Sequence, residues 1–258
     1  MGIIGGSPAY HLLRLLGREG QAGGMDGSAY LNKSKLEVLL GPDFWREIEG
    51  RSVIDFGCGA GAEAIEMALH GARKVVGIDI QERLLEEAQR AAAQAGVADR
   101  CSFATRADER ADIIVAIDSF EHFEDPSAIL RVMRDMIKPE GCIIAAFGPT
   151  WYHPLGGHLF SVFPWAHLLF TEKSLIRWRS DFKRDGATRF HEVEGGLNKM
   201  TIHRFNRIVS ESPFRFAEFE AVPIRKLRPL ANRLTREVTT AIVRCKLVPK
   251  DERQLQKL

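Results

Sequence analysis

Two acids and a run of glycines are the residues in this sequence whose types and spacing first suggest chemistry. In "VIDFGCGAGAEAIEMA", residues 53–68, Asp55 precedes Gly57, Gly59 and Gly61 at the end of an apolar run, and Asp79 closes the next run, "KVVGID". Glycines at alternate positions allow left-handed backbone and let a ligand approach the main chain closely. Gly57, Gly59 and Ala62 satisfy the G-x-G-x-x-G/A spacing of dinucleotide turns, and Asp79 falls near the separation of about 20 residues expected of a ribose-binding acid. On spacing alone a nicotinamide or flavin is open. Asp55 favours a different ligand, because a carboxylate at the mouth of the turn would face a pyrophosphate of like charge. S-adenosylmethionine has no phosphate and presents an α-ammonium and a sulfonium instead, while its ribose hydroxyls can donate to Asp79. A glycine turn after the first strand also occurs without such a ligand, so the acid, the three glycines and the second acid carry this reading only together.

The elements that must position these residues follow from hydrophobic periodicity. "SKLEVLLGPDFWREI" (34–48) reads as a helix interrupted at Gly41-Pro42, leading into a strand at 51–56. A helix over 62–70 stopped by Gly71, a strand at 74–79 and a helix over 81–96 follow, the last with Leu84, Leu85, Ala88, Ala92 and Ala95 on one face. Strands at 101–105 and 111–118 precede Asp125-Pro126, an N-cap and first-turn proline for a helix whose apolar face is Ile129, Leu130, Met133, Met136 and Ile137. "PEGCIIAAF" (139–147) turns into a fifth strand, after which residues 148 to about 200 lose the rhythm and read as an insertion over the crevice. A helix bearing Ile202, Phe205, Ile208 and Val209 and two β-like runs, 214–222 and 238–248, complete the chain. This alternation predicts the α/β class: a doubly wound, mostly parallel sheet binding ligand at the carboxyl ends of its strands. The expected division is an N-terminal tail or short helix at 1–33, a core at 34–148, a substrate-lid insertion at 149–200, a C-terminal helix and strands at 201–248, and a tail at 249–258.

The segment "VIDFGCGAGAEAIEMA…VVGIDI" resembles the first two motifs of class I S-adenosylmethionine-dependent methyltransferases. "ADIIVAIDSFEHFEDP" is similar to their fourth-strand segment, and "MIKPEGCIIAAF" to the helix, turn and strand that follow. The resemblance spans roughly residues 35 to 148 and is nearest to the small-molecule branch that includes quinone-type methyltransferases. It implies a Rossmann-like seven-stranded sheet with an antiparallel last strand. It also implies Asp55, Gly57, Gly59 and Gly61 on the methionine and ribose side, Asp79 on the ribose, Ile80 against the adenine and Asp118 beside the cofactor. The link "RADERAD" is shorter than the family's usual one, which leaves Asp108 as the acid at the adenine amine by position alone.

Methyl transfer from a sulfonium is an in-line displacement, so alignment and exclusion of water dominate, and a general base is needed only for a protonated nucleophile. His122, in "FEHF", is the first candidate base; His122 and Glu121 could equally fix the helix start by hydrogen bonding. The insertion "GPTWYHPLGGHLFSVFPWAHLLF" (148–170) places Trp151, Tyr152, His153, His158, Trp165 and His167 in a short span. A lid over an apolar or aromatic acceptor, with His153 or His158 as polar handle or base, suits that composition. A small satellite core accounts equally for Phe160, Phe163 and Phe170. Irregularly spaced histidines with no acid at a ligand offset predict no metal site there.

Composition bounds the rest. The 258 residues, 45% hydrophobic and 27% charged, suit a soluble globular chain with one sizeable core. Cys58, Cys101, Cys142 and Cys245 are far apart and form no CxxC, which predicts free thiols and a cytoplasmic protein. The first residues, "MGIIGGSPAYHLLRLLGREG", lack a basic leader followed by an apolar core, and "LFSVFPWAHLLF" is too short to span a bilayer. A net charge of +2 and no aromatic-basic platform argue against a nucleic-acid partner. From Arg225 to Leu258, ten Lys/Arg face three Asp/Glu, which reads as a solvated basic face or a weak attraction for an anionic substrate or membrane surface. The expected function is S-adenosylmethionine-dependent methylation of a small-molecule substrate, with oxygen ahead of nitrogen or carbon as acceptor. A catalytically silent cofactor-binding sensor or scaffold is the alternative, and a nicotinamide-dependent oxidoreductase a more distant one.

Overall fold

The computed structural model describes residues 2–17, 33–193 and 195–251. The chain opens with helix α1 (Gly6–Leu16), then α2 (Lys35–Leu40) and α3 (Phe44–Ile48), which part at Gly41, where φ is 88°. The Ser34 hydroxyl accepts from Glu37 N–H at 2.9 Å and so caps α2. There follow β1 (Ser52–Phe56), α4 (Ala62–Leu69), β2 (Lys74–Ile78), α5 (Glu82–Gln94), β3 (Cys101–Ala104), β4 (Ala111–Ile117), α6 (Pro126–Met136) and β5 (Ile137–Phe147). Asp125 accepts from the N–H groups of Ser127 and Ala128, and Pro126 occupies the first turn of α6, as its sequence signature requires. The remaining elements are α7 (Ala166–Leu169), α8 (Glu172–Arg179), α9 (Ile202–Ser210), β6 (Phe214–Pro223), α10 (Arg236–Thr239) and β7 (Thr240–Pro249). The last strand thus begins two residues later than its β-branched run suggests, because Val238 and Thr239 close α10.

The seven strands form one sheet in the order β3-β2-β1-β4-β5-β7-β6. Pairings among β1 to β5 are parallel, and β7 lies antiparallel between β5 and β6. An antiparallel strand in that place departs from the parallel six-strand order of dinucleotide-binding sheets. Successive strand residues point to opposite faces, and both faces are covered. Ile54, Ile114 and Ile143 pack with Leu130 and Met133 of α6 and Phe205 and Val209 of α9. Val53, Val75 and Val115 pack on the other side with Leu39 of α2, Ile48 of α3, Met67 of α4 and Ala92 of α5.

Residues after β5 build a third core from Trp151, Phe160, Phe170, Leu175, Trp178 and Phe190, completed by Ala9 and Leu13 of α1. The aromatic density of the insertion is therefore spent largely on a satellite core. Residues 6–16 of the expected tail are an ordered part of it: α1 packs on α8, and the Tyr10 hydroxyl donates to Asp181 at 3.0 Å. Arg179 is 2% exposed and is held by both carboxylate oxygens of Asp185, at 2.6 and 2.5 Å. Of the tails expected at the two ends, residues 18–32 and 252–258 lie outside the described residues.

Candidate active site

β1 ends at the carboxyl edge of the sheet and the chain turns through Gly57, Gly59 and Gly61, at φ of 85°, 51° and 82°, into α4. The N–H groups of Gly57 and Cys58 both donate to the Ile78 carbonyl, at 2.8 and 3.0 Å, which fastens the turn to the end of β2. Asp79 completes the lock: Oδ2 accepts from Gly59 N–H at 3.0 Å and Oδ1 from Gln81 N–H at 2.9 Å. Each oxygen keeps a second lone pair for a ligand. Beside it Ile80 is 91% exposed, and Asp108 is also exposed, 3.9 Å from Arg106.

The three glycines have different reasons. A Cβ at Gly59 would meet nothing within 4 Å, and one at Gly57 would reach Ser119 Oγ at 3.0 Å. A Cβ at Gly61 would stand 2.6 Å from the Phe103 ring and 2.7 Å from Ala88. Gly61 therefore admits Phe103 of β3 and Ala88 of α5 against the start of α4; its missing side chain is filled by protein rather than left to a ligand.

Asp55 is buried instead of open at the mouth of the turn, 3% exposed, and its Oδ2 has no hydrogen-bond partner among the described residues. Burial, then the neighbouring Glu63, push its pKa up to about 8 against the opposing pull of Lys35. Lys35 and Glu63 escaped sequence reasoning. Lys35 Nζ lies 3.0 Å from Asp118 and 3.2 Å from Glu63, joining α2, the end of β4 and α4 across the crevice. Burial alone would lower the lysine's pKa; the ion pairs with Asp118 and Glu63 outweigh it and raise it. Asp118 sits in left-handed backbone, φ 47°, and burial raises its pKa against the pull of Lys35. An open cleft of about 500 Å³ lined by Lys33, Ser34, Lys35, Ala62, Glu63 and Glu66 adjoins this bridge. The sole sequence signal was a lysine directly after the Ser34 cap and an acid in the first turn of α4.

After β4 the structure gathers Glu121, His122 and His158, whose ligand atoms lie within 4.8 Å of one another. Glu121 is buried; Oε1 accepts from Gly148 N–H at 3.1 Å, and Oε2 has no partner among the described residues. Burial, then Asp118, raise its pKa to about 8. His122 Nδ1 is 2.9 Å from the Gly196 carbonyl, which can only accept, so Nδ1 carries the proton and Nε2 is the free acceptor of the neutral ring. The His158 ring meets His122 edge-on at 5.3 Å, in left-handed backbone at φ 52°. Burial, then His122, lower the His158 pKa to about 4. Such a set can pass a proton or hold a divalent cation. The expectation of no metal site considered the insertion alone, and the missing acid arrives from Glu121 across the fold.

His153 is not part of this group. Its Nδ1 accepts from Leu155 N–H at 2.9 Å, and burial, then His167, lower its pKa to about 4. His167 itself donates from Nε2 to the Trp151 carbonyl at 2.7 Å, so both rings serve the insertion's own structure. Of the two lid histidines expected as base or handle, the fold brings His158 to His122. Asn198, also missed from sequence, braces the "FEHF" segment: its Nδ2 donates to the carbonyls of Phe120 and Phe123, each at 2.7 Å.

The strand order, the antiparallel β7 and the glycine turn at the carboxyl edge define a Rossmann-like methyltransferase fold. The chain belongs to the methyltransferase-domain family, whose model matches residues 27–211. It is 36% identical over 120 residues to a ubiquinone biosynthesis O-methyltransferase of Neisseria meningitidis serogroup C, covering 44% of this chain and 49% of the relative. With that of Pseudomonas syringae pv. tomato it shares 33% identity over 143 residues, covering 53% and 59%. The chain thus spans about half the length of the curated relatives it matches. Its fold is similar to that of mitomycin 7-O-methyltransferase (TM-score 0.52, 14% identity, 78% of this chain and 49% of that one). A S-adenosylmethionine-dependent methyltransferase from Mesorhizobium loti is similar as well (TM-score 0.51, 16% identity, 79% and 95%). No helix among the described residues is long and apolar enough to cross a membrane.

Proposed function

We propose that this chain transfers a methyl group from S-adenosylmethionine to a small-molecule acceptor in the cytoplasm, with oxygen as the favoured acceptor atom. The observation that carries the reading is the convergence at one sheet edge of the Asp79-locked glycine turn, the Lys35–Asp118 bridge and the Glu121–His122–His158 group. The relatives named as ubiquinone biosynthesis O-methyltransferases support oxygen. Four free cysteines suit a reducing compartment.

S-adenosylmethionine supplies an electrophilic methyl when bound. Asp79 would accept from the ribose hydroxyls, Ile80 would cover the adenine and Asp108 would meet its amine, while Gly57 and Gly59 would let the main chain approach closely. Asp118 would meet the α-ammonium, with the buried Asp55 adding its field from beneath the turn, and Lys35 would answer the carboxylate of the same amino acid. His122 Nε2 takes the acceptor's proton, since its Nδ1 is committed to Gly196. His158, kept neutral above about pH 4, is a polar handle, and the lid behind it excludes water.

Calorimetry with S-adenosylmethionine, S-adenosylhomocysteine and NAD tests the donor. The first two bind, and Asp79→Ala weakens both by roughly tenfold to a hundredfold, the range for lost hydrogen bonds to a charged group, with folding checked by thermal melting. Binding of NAD alone, or of none of the three, overturns the reading. Label transfer to a pool of hydroxylated aromatic compounds tests the acceptor. Donor binding with no transfer to any of them leaves the silent-sensor alternative, and where transfer occurs, its loss in His122→Ala with donor binding intact supports His122 as the base.

A further inference from the structure

The connection between β6 and β7 carries a surface that methyl transfer does not use. Phe147, the last residue of β5, pairs with Val243, and β6 runs antiparallel to β7 with Val222 opposite Ile242. Residues 224–239 therefore emerge at the carboxyl edge of the sheet, the edge that carries the glycine turn and the start of the lid. The connection opens with a short 3-10 helix, Arg225–Leu230, that buries none of its residues, and residues 228–234 are exposed throughout. Leu234 is 94% exposed, Leu230 62% and Val238 39%.

These side chains stand on ordered backbone. Leu234 N–H donates to Asn232 Oδ1 at 2.8 Å, the Thr235 hydroxyl donates to the Leu230 carbonyl at 2.6 Å, and Ile224 N–H donates to the Thr239 carbonyl at 2.7 Å. The turn thus holds Leu230 and Leu234 in water, with neither in an apolar cluster of the described residues, together on one exposed connection. Arg225, Lys226, Arg228, Arg233 and Arg236 flank them. None of the five forms an ion pair with a described acid. The segment's single acid, Glu237, is committed to α9, accepting from the N–H groups of Ile202 and His203 at 3.0 and 2.7 Å.

We infer that residues 224–238 are a docking surface for an anionic lipid bilayer, with Leu230 and Leu234 entering the headgroup region and the five cations meeting lipid phosphates. Exposed leucines within a basic segment are what an anionic interface attracts, by apolar burial and by charge together. A second copy of the chain fits poorly, because a two-fold contact would set this cationic patch against itself. A nucleic acid fits poorly too, because the segment has no aromatic residue on which a base could stack. Docked this way, the edge that holds the crevice faces the membrane.

The test is sedimentation of the full chain with vesicles of equal parts phosphatidylglycerol and phosphatidylcholine, and with phosphatidylcholine alone. It needs no methyl donor, so it stands or falls apart from the proposed reaction. The chain partitions onto the anionic vesicles and not the zwitterionic ones, and raised salt weakens the binding. Leu230→Ser/Leu234→Ser and Arg228→Gln/Arg233→Gln each reduce partition at least about tenfold, with melting temperature and donor binding unchanged. Arg233→Glu, at a single exposed site, supplies the same readout should the leucine pair disturb folding. Absence of binding to anionic vesicles, or equal binding of wild type and variants, overturns the inference. So does a Leu234-dependent dimer in sedimentation velocity without vesicle binding.

Discussion

On the turn side of the crevice, the contacts that fix the geometry join neighbouring elements of a single β1–α4–β2 unit: Asp79 to Gly59 and Gln81, and Gly57 and Cys58 to Ile78. On the lid side they cross the whole chain. Glu121 is held by Gly148, His122 by Gly196, and the core behind His158 needs α1 from the opposite end of the sequence. The first side forms with the sheet itself. The second depends on a separate packing unit, and units with their own cores open with their own free energies. The turn is therefore fixed by the sheet, and the insertion, resting on a core of its own, is expected to open while the sheet stays folded.

The largest effect that could break this comparison lies at Gly61. Gly61→Val places a branched side chain in left-handed backbone where even a Cβ stands 2.6 Å from Phe103, at a cost on the order of 3–5 kcal/mol from overpacking and strain. Urea denaturation should show it as global destabilisation. Gly59→Ala, facing open space, should cost only about 1–2 kcal/mol and lose donor affinity instead. A stable Gly61→Val protein would mean that the turn is not welded to the sheet.

Asp185→Asn comes next. It takes the full negative charge from the partner of the buried Arg179, costing about 3 kcal/mol. Hydrogen exchange should speed up across 148–200 and α1 while β1, β2 and β4 keep their protection. Uniform loss of protection would make lid and sheet a single cooperative unit. Leu13→Ala, removing a fully buried side chain that α1 contributes to the lid core, should do the same at about 2 kcal/mol. Limited proteolysis within the insertion would report it.

The smallest effect is a pH dependence that apportions two buried acids between the sides, Asp55 beneath the turn and Glu121 beneath the lid. Both have folded pKa values raised to about 8. Their contribution to stability is thus complete below the ordinary carboxylate range and is lost as pH rises toward 8. His153 and His158, lowered to about 4, work the other way and lose stability as pH falls from about 6.5 to 4. Between about pH 6.5 and 8 the raised acids, Asp118 among them, act without these histidines. The ligand-free protein should then lose stability by at most about 1.4 kcal/mol per pH unit for each acid. Asp55→Asn and Glu121→Gln should each flatten part of that slope in urea titrations. A flat wild-type profile would mean that both acids are already ionised.

The local elements were legible in the sequence, although Lys35 and Glu63 were missed and Asp55 proved buried. The break at Gly41, the Asp125 cap with Pro126, the apolar face of α9 and the glycine turn with its second acid all stand where pattern and spacing put them. The lid side was legible only as composition. Its histidines could be named, but not which of them would reach His122, and the segment carrying α1 read as a tail or short helix with nothing to show where it would dock. Even on the turn side Gly61 was assigned to the ligand, because spacing reveals that a side chain is missing and not what fills the gap.

By itself, the sequence determined the local elements, the α/β alternation and the glycine turn. Each of these follows from steric limits and hydrogen bonds between near neighbours, which leave a periodic or fixed-offset trace. Only the tertiary structure decided the Lys35–Asp118–Glu63 bridge, the meeting of His158 with Glu121 and His122, the docking of α1 and the packing role of Gly61. These join residues far apart in the chain. What brings them together is the burial of apolar surface on both faces of the sheet and in the lid core, and that driving force has no direction and leaves no spacing in the sequence.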